Sequence, residues 1–274
     1  MKNQTQLPTK VLKVEGTEII INTYESDETV KLAAAKALAK EIQTQIENRI
    51  PILLMLSGGS ALQVTETLAN ILNTKTYHNN LLTVSVVDER VVQGEDNNYQ
   101  SLQKSLFGKW AKNNNVYWID TGVKNSEDVG NVEKHAEKFG KDLHTWKRKN
   151  SQGQIIALLG VGVDGHTAGI LPFEENPALS LEEWNWVVGY NIENYSSEPD
   201  KINPHHFRST TTPNFIINSV DTVLVYMVGN EKKNALKGIV TNEGDIKKTP
   251  ARIFRERQKL TRIFTDLHLS FVVF

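Results

Sequence analysis

In the stretch ALLGVGVDGHTAGILP an apolar run ends in a turn with glycines at 160, 162 and 165, and Asp164 and His166 stand within it. Histidine changes charge near neutral pH, so its ring can take a proton from water and hand it on. A carboxylate two residues away could orient that ring. An isolated histidine is more often structural, but the glycine-rich setting after an apolar strand points to a general base.

Four further stretches could hold a substrate. In LLMLSGGSAL, Ser57, Gly58, Gly59 and Ser60 link an apolar run to a helical pattern. The first N–H groups of a helix have no partner within it, and such a turn binds anions, phosphate most often. A plain strand-to-helix turn reads the same way, and the GK[ST] element of a Walker loop is missing. In VVDERVVQGEDNNYQSL, Asp88, Glu89 and Arg90 leave a buried strand at its carboxyl end, where α/β sheets place their ligands. A solvated loop with internal ion pairs is the alternative. In HHFRSTTTP and VGNEKKNAL, Arg208 and Lys232 could reach an anion from across a cleft, or be surface charge. His205 and His206 suggest a metal only weakly, because no third ligand is spaced to join them, and no metal is assigned.

The elements that must position these residues alternate. TEIIINTY, PILLMLS, LLTVSVVD, NVYWID, QIIALLGVG and DTVLVYMVG read as strands. Helical spacing covers Val30 to Ile46 behind a Ser26 or Asp27 cap, then residues 60 to 73, 97 to 107, about 130 to 149, and NEKKNALKGIV. Thr212 with Pro213 marks another helix start, and the closing LHLSFVVF reads as a last strand. NIENYSSEPDKINPHHFRS reads as a surface excursion. Continuous apolar strands between helices predict a Rossmann-like, mostly parallel sheet with helices on both faces, as one α/β domain over 18–274 after an N-terminal extension of 1–17.

Composition limits the partners. The 274 residues carry 31 basic and 32 acidic side chains, a net charge of −1, so no global field favours nucleic acid or an anionic membrane. An anion must be held locally. There is no cysteine, and hence no disulfide, thiolate nucleophile or cysteine metal site. The first residues lack a signal peptide's apolar core and no run is long enough to span a bilayer, so a cytoplasmic monomer or small homo-oligomer is expected.

Taken in order, SGGSALQVTETL, VVDERVV with NNYQSL, LLGVGVDGHTAGILP, RSTTTP and GNEKKNAL resemble the 6-phosphogluconolactonase family over roughly residues 18 to 251. DGHTA is the most specific element. The resemblance implies a fold shared with glucosamine-6-phosphate deaminases and ribose-5-phosphate isomerases. It implies hydrolysis of 6-phospho-D-glucono-1,5-lactone in the pentose phosphate pathway, with this small sugar-phosphate lactone as the partner and no cofactor. Ser57, Gly58, Gly59 and Ser60 become the phosphate loop, with Arg208 and Lys232 closing on the same phosphate. His166 becomes the base that activates water, with Asp164 and Asp88 orienting it or the substrate hydroxyls. Arg90 either stabilises the oxyanion or fixes the Asp88 loop.

The chain departs from the usual family pattern at Ala61-Leu62, where Thr-Pro is common, at Gln93, where a proline is common, and in its C-terminal residues. Deaminases are the nearest rival, but they follow the histidine with Asn-Glu-Pro, and here Ile170, Leu171 and Pro172 stand there. A non-catalytic sugar-phosphate sensor would need a DNA-binding module, and 17 N-terminal residues are too few to make one.

Overall fold

The computed structural model describes residues 9–14, 17–73, 79–179 and 185–268. Eleven strands form within them: β1 (Lys10–Val14), β2 (Thr17–Thr23), β3 (Ile52–Leu56), β4 (Leu82–Val86), β5 (Asp88–Arg90), β6 (Tyr117–Trp118), β7 (Gln154–Gly160), β8 (Val187–Asn191), β9 (Phe207–Thr211), β10 (Thr222–Met227) and β11 (Thr261–Thr265). The helices are α1 (Asp27–Glu47), α2 (Leu62–Leu72), α3 (Asn98–Lys104), α4 (Leu106–Asn113), α5 (Val132–Lys149), α6 (Pro199–Ile202) and α7 (Lys233–Val240).

Eight strands make the main sheet in the order β1-β2-β11-β10-β7-β3-β4-β6, parallel throughout except for β1. Alternation along each central strand divides its side chains between two cores. Leu53, Met55, Ala157, Leu159, Val223 and Val225 face α5 and α7. Ile52, Leu54, Leu56, Ile156, Leu158 and Leu224 face α1, α2 and α4. Both faces are buried, which is why these strands read as unbroken apolar runs. Leu158→Ala, at a fully buried position, would cost about 2–5 kcal/mol.

Capping chemistry sets several element ends. The Ser26 hydroxyl accepts from Thr29 N at 3.4 Å and opens α1, so Ser26 rather than Asp27 is the cap. Thr212 accepts from Phe215 N at 3.3 Å. The helix expected over 97 to 107 is two: Ser105 leaves helical geometry, its hydroxyl accepts from Gly108 N at 3.1 Å, and α4 continues to Asn113.

Three features lie outside the pattern legible in the sequence. β5, β9 and β8 form a separate antiparallel sheet in the order β5-β9-β8, so part of the expected surface excursion is a strand. β11 inserts between β10 and β2. β1, inside the stretch set apart as an N-terminal extension, pairs antiparallel with β2. The strand expected in LHLSFVVF falls largely on 269–274, outside the described residues. Among the described residues no helix is long and apolar enough to cross a membrane.

Candidate active site

The chain runs from β3 outward to β4 on one side, and β7 returns on the other side of β3. A crevice opens where the strand order reverses, at the carboxyl ends of β3 and β7. It is a cleft of about 390 Å³ lined by Ser57 to Ser60, Asp88, Arg90, His166, Arg208 and Lys232, along with Asn98 and Asn203. Segments from five parts of the chain meet there.

The paired glycines after β3 have different reasons. Gly59 has φ +61, a conformation that only glycine adopts without strain. Gly58 is extended, but a Cβ there would stand 2.5 Å from Asn98 Oδ1, so the loop needs a bare backbone to admit Asn98. A short 3-10 turn, Gly59–Ala61, then starts the helix with no side chain capping its N–H groups. Lys232 Nζ lies 3.4 Å from Ser60 Oγ. That side chain is buried, and among the described residues no carboxylate pairs with it. Burial pushes its ammonium below the usual lysine range, against the pull of Glu231 and Asp266. Free N–H groups beside a buried, unpaired cation suit an anion.

After β7 the loop folds back on itself. Gly162 N donates to His166 O at 2.9 Å, and Thr167 Oγ1 donates to Gly160 O at 2.8 Å. His166 Nδ1 lies 2.6 Å from Asp164 Oδ1, and His166 N also donates to that oxygen at 3.2 Å. Burial raises the Asp164 carboxyl, but the hydrogen bonds and charge of His166 outweigh it and hold the group below the usual carboxylate range. An ionised carboxylate only accepts, so Nδ1 carries a proton, and in the neutral ring Nε2 is the nitrogen with the lone pair. Gly162 makes the pair possible, since a Cβ there would fall 2.2 Å from His166 Nδ1 and 2.5 Å from Asp164 Oδ1. Asp164 itself stands behind the histidine and does not line the cleft.

The third wall is the small sheet. Asp88 and Arg90 point to the cleft, and Arg90 sits in register with Arg208 on β9. Like charges directly opposite repel, and Asp88 offsets this: Arg208 Nη2 donates to Asp88 Oδ2 at 2.6 Å, with both side chains 6% exposed. Burial and the Arg208 charge push Arg90 below the usual guanidinium range. Glu89, fully buried, points the other way. It accepts from Arg90 N (2.8 Å), Asn98 N (2.5 Å), Tyr99 N (3.0 Å) and Thr121 Oγ1 (2.9 Å), tying β5 to the start of α3. Burial pushes its carboxyl up to about 8 against these four donors. Asn98 then donates to Asp88 O at 3.0 Å.

Every site residue expected from the sequence lines this cleft except Asp164, which backs it. Sequence reasoning missed Asn98, Asn203, the organising role of Glu89 and the Asp88–Arg208 pair. Asn98 had a signal in its NNYQSL stretch, whereas Asn203 sat in a segment read as surface. The His205-His206 pair makes no metal site among the described residues. His206 Nδ1 lies 2.8 Å from Glu193 Oε1 and its Nε2 lies 2.9 Å from Asp200 Oδ1.

A Rossmann-like sheet with an anion-suited cleft and a carboxylate-backed histidine at its reversal point defines an α/β protein built to act on a small anionic ligand. The chain belongs to the glucosamine-6-phosphate isomerase/6-phosphogluconolactonase family, whose sequence pattern matches residues 25–263. It is similar to the 6-phosphogluconolactonase of Borreliella burgdorferi, 27% identical over 182 residues that cover 64% of this chain and 68% of the relative. A Dictyostelium discoideum protein named a probable 6-phosphogluconolactonase is 26% identical over 222 residues, covering 79% of this chain and 85% of its own. The solved 6-phosphogluconolactonase of Trypanosoma brucei superposes with a TM-score of 0.70 at 21% identity, over 89% of this chain and 95% of that one, and so shares the fold.

Proposed function

We propose that the chain hydrolyses 6-phospho-D-glucono-1,5-lactone to 6-phospho-D-gluconate. The observation that carries this is His166, tied through Nδ1 to Asp164 at 2.6 Å, in the same cleft as the Ser57–Ser60 loop and Lys232. The loop N–H groups and Lys232 hold the phosphate, with Arg208 at the margin. His166 Nε2 takes a proton from water as the water oxygen bonds to the lactone carbonyl carbon. Arg90, in the cleft without a carboxylate of its own among the described ion pairs, steadies the oxyanion. When the carbon–ring-oxygen bond breaks, the histidine returns the proton to the ring oxygen. One residue serves both transfers.

Leu171 stands where a deaminase has its assisting glutamate, and it is fully buried in the core with no proton to exchange. The test is lactone hydrolysis above the spontaneous rate. Activity that depends on His166 supports the reading; turnover of glucosamine 6-phosphate instead would replace it.

A further inference from the structure

The paired histidines and the excursion around them are not used by the chemistry above, yet the excursion reaches the cleft through Asn203. The segment from Glu193 to His206 leaves the small sheet after β8 and returns to it at β9, where Ile192 N donates to His206 O at 3.1 Å. Between these points only a 3-10 turn at Ile192–Asn194 and α6, one turn long, are regular. His206 closes the segment. Its two ring nitrogens face a carboxylate each, Glu193 and Asp200, and a carboxylate only accepts, so both bonds are donated only by the imidazolium form. The ring thereby fastens both ends of the excursion to one point.

Asn203 is what this fastening delivers. It lines the cleft alongside Arg90 and Arg208. Its backbone N–H donates to Pro199 O at 2.9 Å, and its side-chain Oδ1 accepts from His205 N at 2.9 Å. With the carbonyl oxygen engaged, the amide Nδ2 is the end left to donate. We propose that Asn203 is a substrate-binding residue that donates its side-chain amide to an oxygen of the bound sugar phosphate, and that His206, clamped between Glu193 and Asp200, is the positioning residue that holds it there. The sugar-phosphate part of this rests on the function proposed above.

The experiment compares wild type, N203A, H206Q and the double variant in steady-state lactone hydrolysis and in calorimetric binding of 6-phosphogluconate. One hydrogen bond to an anionic ligand predicts that N203A raises KM and weakens product binding about ten-fold, with a much smaller change in kcat. H206Q should do the same, and the double variant should be no worse than either, because His206 acts through Asn203. D200N, altered at an exposed carboxylate, should shift KM in the same direction without threatening the fold. A KM and a product affinity within two-fold of wild type in N203A would overturn the contact. Additive losses in the double variant would overturn the positioning role. A wild type that binds 6-phosphogluconate without hydrolysing the lactone would sink the lactonase reading while the N203A affinity still decides the contact. A wild type that does neither would overturn both.

Discussion

At Gly162 one methyl group separates a working histidine from a displaced one. The Cβ of Gly162→Ala would collide with both His166 Nδ1 and Asp164 Oδ1, so the pair must part. We expect kcat to fall about 100-fold or more, as expected for a lost general base, with phosphate affinity nearly unchanged. Equal losses in kcat and phosphate binding would show a collapsed loop instead. Phosphate recognition is tested best at Lys232. Lys232→Ala should raise KM for the phosphorylated lactone far more than for unphosphorylated gluconolactone, and equal effects would remove Lys232 from the phosphate site. Arg208→Ala is the poorer test because it leaves Asp88 buried and unpaired, at a cost of about 3–5 kcal/mol. The two partners of that pair are 120 residues apart, and no local pattern announces such a meeting. His166, Asp164 and the two glycines were legible because each stands in a short loop directly after an apolar strand.

Among the elements, β5 carries the most consequence for its length. Its alternation sends Asp88 and Arg90 to the cleft and Glu89 behind it, where one carboxylate organises α3 and Thr121. The Thr121 hydroxyl can donate to the ionised form of Glu89 or accept from the protonated form. A folded-state value near 8, above the ordinary glutamate range of about 4.3, means the folded protein keeps a proton that the unfolded chain has already lost. Stability from this group is therefore full below about pH 4 and declines as pH rises towards 8. Glu89→Gln should flatten that slope between pH 5 and 8 in thermal melts, and should lower Tm by about 5 °C at pH 5 through mismatched hydrogen bonds. An unchanged slope would mean that Glu89 is ionised throughout. The parallel strands were readable because burial on both faces leaves continuous apolar runs. β5 and β9 were not, because DER and FRSTT place polar side chains on a cleft and lack that signature. β11 is masked in the sequence because its TRIFT carries Arg262 between β-formers, and the more apolar LHLSFVVF lies just beyond it.

For the whole molecule, a net charge of −1 offers no long-range attraction to an anion. The fold supplies the charge locally, by bringing Arg90, Arg208 and Lys232 into one cleft at the reversal point of the sheet. The same topology sets His166 at the end of β7, beside the loop that follows β3. The proposed proton transfer and anion binding would thus both depend on two neighbouring strand ends, where Gly59 and Gly162 answer a backbone or steric need. The most direct test follows freshly made 6-phosphogluconolactone through 6-phosphogluconate formation in a coupled dehydrogenase assay, with the spontaneous rate subtracted, for wild type and His166→Ala. Acceleration by wild type that the variant abolishes is the predicted result, and acceleration that survives in the variant, or is missing from wild type, would contradict the account.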